Sequence, residues 1–150
     1  MKIVKMIADA SSFCLIATPW ISEEEAEMIA KFCGAGDIKI LLRDDTEREI
    51  NSVKILQNNP LIEIRRDPNL HGKCIITEFE LYSGSGNMTF SAFKKNHEFF
   101  EFDKNEDRRK IYFKKFMKWF NASSPFAINE DKDSRRKVSN RVLLEAWKSI

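Results

Sequence analysis

Cysteine, glycine, proline and histidine are all scarce in this chain of 150 residues, and each scarcity excludes something. The three cysteines, Cys14, Cys33 and Cys74, are widely separated and form no CxxC pair, which argues against a disulfide framework or a four-ligand zinc site. A reducing compartment is implied. Five glycines and four prolines are too few for a collagen-like or low-complexity chain. No apolar run approaches the roughly 20 residues of a membrane span. Asp9, Ser11 and Ser12 interrupt the opening stretch where a signal peptide would carry its apolar core, so the expected location is the cytoplasm and no membrane partner is expected. Net charge is also small, +2 from 25 Lys+Arg and 23 Asp+Glu. That balance conceals a gradient: residues 1–103 hold 12 basic and 17 acidic residues (−5), and residues 104–150 hold 13 and 6 (+7).

What is present is core material. Hydrophobic residues make up 43% of the chain, with twelve phenylalanines and three tryptophans, enough for one globular domain and too little length for two. IVKMIADA reads as a short helix, SFCLIAT as a buried strand, and EEEAEMIAKFC as a helix opened by the capping-box pair Ser22 and Glu25 and stopped at Gly34 and Gly36. DIKILLR is a second buried strand. Asp45 or Thr46 caps a following helix whose apolar face is Ile50, Val53, Ile55 and Leu56. LIEIRR is a strand, and GKCIITE and ELYSGS form a hairpin with a tight turn near Phe79. HEFFEFD alternates as a strand. NEDRRKIYFKKFMKWFN is an amphipathic helix with Ile111, Phe113, Phe116, Met117 and Phe120 along its stripe. The pattern predicts an α/β fold built on a mixed sheet, with residues 1–121 as its main domain. Residues 122–150 form a basic extension packed on it, loop-like to Asp133 and helical beyond.

The chemistry concentrates in HGKCIITEFELYSGSGN, from His71 to Asn87. The period of two predicts that His71 and Lys73 share one face of a strand while Cys74 and Ile76 pack on the other. Across the hairpin, the small residues of SGSGN let Ser85 and Asn87 approach a ligand closely. An imidazole, an ammonium, a hydroxyl and a carboxamide suit phosphoryl transfer. Lys73 and Asn87 donate to non-bridging oxygens, a neutral His71 attacks phosphorus, and a second acid protonates the leaving alkoxide. No metal or other cofactor is required.

This ordered set resembles the HxKx4D…GSxN motif of the phospholipase D superfamily, with His71-Gly72-Lys73 as HxK and Gly84-Ser85-Gly86-Asn87 as GSxN. Asn96-His97-Glu98 resembles the N-x-E element that follows, and ATPWIS and DIKILLR resemble the first strands, so the likeness spans about residues 1–120. Two departures stand out: Glu78 replaces the usual Asp, and five residues rather than six separate it from Gly84. The resemblance implies an α/β/α sandwich with helices on both faces of the mixed sheet, residues 1–121 as the catalytic domain, a mainly structural role for Glu78 and a catalytic unit with two HxK motifs, of which this chain carries one. A twofold homodimer supplies the second by bringing two copies of His71 together, as in the small single-motif nucleases of that superfamily. Glu98 is then expected to bond an imidazole nitrogen and set its tautomer.

The expectation is a metal-independent phosphodiesterase that cleaves nucleic acid, DNA or RNA, through a phosphohistidine. Arg65, Arg66, Lys94 and Lys95 are candidate phosphate contacts. Trp20 is placed either to stack on a base or to pack in the core. Two alternatives remain: a lipid enzyme of the same superfamily, and a nucleic-acid-binding dimer whose site has lost its activity.

Overall fold

A computed structural model describes residues 2–43, 46–84 and 100–125. In chain order these form α1 (Lys2–Asp9), β1 (Phe13–Ala17), α2 (Glu23–Phe32), β2 (Asp37–Leu42), α3 (Thr46–Gln57), β3 (Ile62–Arg66), β4 (Lys73–Thr77), β5 (Leu81–Gly84), β6 (Phe100–Asp103), α4 (Glu106–Ala122) and β7 (Ser124–Pro125). The described strands build one sheet in the order β6-β5-β4-β1-β2-β3-β7. β1, β2 and β3 are parallel neighbours; β4, β5, β6 and β7 each run antiparallel to their partners. Among the described residues no helix is long and apolar enough to cross a membrane.

The strand pleat decides which residues meet which helices. Cys14, Ile16, Ile38, Ile40, Ile64 and Ile75 join the core shared with Ile3 and Ile7 of α1, Ile29 of α2, and Val53 and Leu56 of α3. Phe13, Leu15, Leu41 and Ile76 point the other way, onto Phe113, Phe116 and Phe120 of α4. Phe13 meets Phe113 edge to face, with centroids 5.2 Å apart. The expected α/β/α layering is therefore observed, with α1 to α3 on one face and α4 on the other.

Local signals explain the element ends. The Ser22 hydroxyl accepts from the Glu25 amide at 3.3 Å, opening α2 as its capping-box pattern predicts. Asn105 caps α4 by accepting from the Arg108 amide at 2.9 Å. Beyond α2 the chain passes so close to α1 that a Cβ on Gly34 would lie 2.5 Å from the Ala10 carbonyl oxygen and 2.7 Å from that of Ala8. Only glycine fits there.

Several details differ from the sequence expectation. Ile111 is 60% exposed and Ile50 47%, so each lies off the buried stripe of its helix. Ser124 and Pro125 pair with Arg66 and Arg65 as a short edge strand, so the segment expected to be loop from residue 122 starts inside the sheet. The helix expected beyond Asp133 lies outside the described residues, as does the expected cap Asp45. The apolar reading of DIKILLR also concealed charge: Lys39 is fully buried and balanced by Asp37 at 3.2 Å and Glu63 at 3.3 Å. Removing one member of such a buried set strands the others, at a cost of about 3–5 kcal/mol.

Candidate active site

Strand direction decides where the HxK residues sit. β1, β2 and β3 end on the same side of the sheet, and the pairing of Ala17 with Cys74 brings the start of antiparallel β4 to that edge. β2 lies on one side of β1 and β4 on the other, so the chain reverses its direction of growth there. This is the switch point outside whose carboxyl strand ends open α/β sheets bind ligands. The edge is laced together by backbone bonds, from the Thr18 amide to the Leu41 carbonyl at 3.0 Å and from the Asp67 amide to the Leu42 carbonyl at 2.8 Å.

His71 stands on this edge, exposed, in the loop between β3 and β4. β4 begins at Lys73, two residues on, and Arg43 reaches the imidazole from the end of β2. Its guanidinium donates to the buried Leu70 carbonyl from Nε at 3.0 Å and Nη2 at 2.8 Å, and Nη2 also contacts His71 Nδ1 at 3.1 Å. The Arg43 guanidinium lies 5.0 Å from the centre of the Trp20 ring. Arginine has donors only, so the neutral imidazole must accept at Nδ1 and carry its proton on Nε2. Arg43 escaped the sequence reading because it stands 28 residues from His71 and belongs to no motif. Its one signal was position, directly after a buried strand in an α/β pattern. Trp20 is likewise a partner of Arg43 and only partly buried.

Lys73 is half-buried and pairs in register with Gly84, so the HxK strand and the start of the GSxN segment are adjacent, as the hairpin predicted. Cys74 and Ile76 pack toward α4, as expected. Burial is the main reason the Cys74 thiol is pushed up to about 12, which keeps it protonated and unreactive. Ser85, Asn87, Lys94, Lys95, His97 and Glu98 lie outside the described residues.

Glu78 occupies the opposite end of β4 from His71. Its carboxylate accepts from the Ser11 amide at 3.1 Å and the Ser11 hydroxyl at 2.9 Å, and also from the Ser12 amide. Arg109 of α4 donates to its backbone carbonyl. Partial burial opposes ionisation, but the bonds from Ser12 and Ser11 outweigh it and hold the carboxyl below the usual glutamate range. These contacts tie the hairpin turn to the start of β1.

The basic residues before the motif divide. Arg65 is turned under α4, where it donates to the Phe120 carbonyl at 3.0 Å, pairs with Glu63 at 3.3 Å and lies 4.6 Å from the Phe120 ring centre. Arg65, expected as a phosphate contact, makes these fold contacts because strand parity sends its side chain to the α4 face. Arg66, one residue on, has the opposite parity and lies at the carboxyl edge, half-buried.

No family model matches the chain, and no curated protein matches it. Solved structures do. Nuc from Salmonella typhimurium, a phospholipase D family member, superposes with a TM-score of 0.70 at 19% identity over 83% of this chain and 88% of that one. NucT from Helicobacter pylori superposes at 0.74 and 15% identity over 83% and 89%. TrmBL2, an archaeal chromatin protein with a novel mode of DNA binding, superposes at 0.63 and 19% identity over 82% of this chain and 48% of its own. The chain has the fold that these three proteins share, with its HxK residues at the carboxyl edge of the parallel strands.

Proposed function

We propose that the protein is a metal-independent phosphodiesterase of the phospholipase D type, acting on nucleic acid through a covalent phosphohistidine in a site completed by a homodimer. The observation that carries this reading is the placement of His71 and Lys73 at the sheet's switch point, in the fold of a phospholipase D family member. The basic C-terminal third and the DNA binding described for TrmBL2 favour nucleic acid over lipid. The proposed location remains the cytoplasm.

The reaction needs two imidazoles in different states. In one copy of the chain, His71 Nε2 attacks phosphorus while the ester P–O bond breaks. In the other copy, His71 acts as the imidazolium, gives its Nε2 proton to the leaving alkoxide and ends as the neutral imidazole. That second imidazole then takes a proton from water, which attacks the phosphohistidine and releases a phosphate monoester. Lys73, with Ser85 and Asn87, holds the non-bridging oxygens. The nucleophile carries its proton on Nδ1 and the imidazolium acid carries protons on both nitrogens, so each copy must exchange the Arg43 donor for an acceptor at Nδ1, the role assigned to Glu98. Arg66, Lys94 and Lys95 are the proposed backbone-phosphate contacts, and Glu78 serves the fold.

The test is cleavage of a labelled oligonucleotide in EDTA by the purified chain and by H71A. Turnover that persists in EDTA and vanishes in H71A is expected. Activity abolished by chelation and restored by magnesium would overturn the mechanism. The Arg43 contact also favours a second reading, a nucleic-acid-binding dimer without turnover, since it occupies the lone pair on Nδ1 and leaves Nε2 protonated. Tight binding unchanged in H71A, without cleavage, selects that reading.

A further inference from the structure

Beside Lys73 a cleft of about 300 Å³ opens between the β4–β5 hairpin and α4. Leu70, Cys74 and Phe116 form its apolar floor, and Tyr112, Lys115 and Trp119 form the wall. Those last three are spaced i, i+3 and i+7 and therefore share one stripe of α4, adjacent to the stripe that packs into the core. The core stripe is Phe113, Phe116 and Phe120, all buried; Trp119, by contrast, is 42% exposed. The Lys115 ammonium lies 6.0 Å from the Tyr112 ring centre and 5.8 Å from that of Trp119. Between Arg108 and Ala122 the helix carries six Lys/Arg and no Asp/Glu.

We infer that this cleft is a nucleobase subsite, in which the Tyr112–Trp119 wall stacks on a base of the strand bound at His71 and Lys73 while Lys115 meets its neighbouring phosphate. The inference rests on the nucleic-acid reading above and gives it a substrate class. Aromatic faces alternating with cations are what a single strand requires, because every base offers a π-face and every linkage a negative charge. The size is consistent with small-ligand sites, which begin near 300 Å³. A phospholipid acyl chain is matched less well, since the cleft has an ammonium in its wall and Lys73 at its rim. A base can enter only after leaving its stack, so single strands, frayed ends or loops bind here and continuous duplex does not.

Binding is measured in the H71A chain, where no substrate is consumed, by fluorescence anisotropy of a labelled single-stranded octamer and of the matching duplex. W119A is expected to weaken the single strand by about 5- to 150-fold, the usual range for losing one stacked base. W119F should retain most of the affinity, and W119A should leave the duplex within about twofold. An octamer with one abasic position should bind W119A and its parent with similar affinity. Equal losses for strand and duplex, or no loss for either, overturn the cleft inference and leave the nuclease reading standing. If the chain binds neither strand nor duplex, both fall. Binding to anionic vesicles that W119A abolishes, with oligonucleotide binding unaffected, overturns the base subsite in favour of a lipid site.

Discussion

The contact between Arg43 and His71 makes a specific demand on a proton. At a pH where the imidazole is neutral, His71 must be the Nε2–H tautomer, since a guanidinium at Nδ1 offers only hydrogens. The chain has two histidines, so ¹⁵N-detected correlation of labelled imidazoles, with H71A for assignment, resolves the ring. The same side chain also supports the loop. Two of its bonds end on the Leu70 carbonyl, and Leu70 is buried. Truncation to alanine leaves that carbonyl short of partners, about 1–3 kcal/mol, and removes the stacking on Trp20, about 0.5–1 kcal/mol at a partly exposed site. R43A should therefore lose about 1.5–4 kcal/mol in urea denaturation. R43K should recover little of it, because a single ammonium cannot reproduce the fork that reaches both the carbonyl and the imidazole. A proton found on Nδ1 in the free protein would refute the tautomer argument. R43K unfolding at the parent urea midpoint would refute the claim that the fork holds the loop.

Two further outcomes follow from the packing. E78Q should destabilise the fold by about 1–3 kcal/mol at pH 7, since charge-assisted bonds to Ser11 and Ser12 become neutral ones at a partly exposed site. The folded-state value is depressed, so the stabilisation is fully present above the unfolded glutamate value of about 4.3 and is lost as pH falls through the lower folded one. The gap between E78Q and its parent should accordingly close in acid; a gap that is constant with pH contradicts the assignment. G34A forces a methyl against two backbone carbonyls that have no rotamer to change, and should cost at least about 1–3 kcal/mol. A melting temperature unchanged from the parent would show that the α1–α2 junction yields more easily than its geometry implies.

Much of this protein was legible as a linear pattern. Buried strands announced themselves as apolar runs, α2 by its capping pair, and the hairpin by the turn between two β-forming stretches, because these features depend on neighbours a few residues away. The nearness of the HxK strand to the start of the GSxN segment was legible for the same reason: Lys73 and Gly84 pair across one hairpin, whose register follows from its short turn. Tertiary structure alone decided the rest. Which of Arg65 and Arg66 reaches α4 depends on which sheet face that helix covers, and the charge of Lys39 is satisfied by Glu63 from another strand. Arg43 meets His71 only because β2 ends where antiparallel β4 begins, and the aromatic wall of α4 stands beside Lys73 only because that helix packs across β1 and β4. Such contacts join residues tens of positions apart, and no local propensity or motif encodes them; they exist once the sheet order has been set.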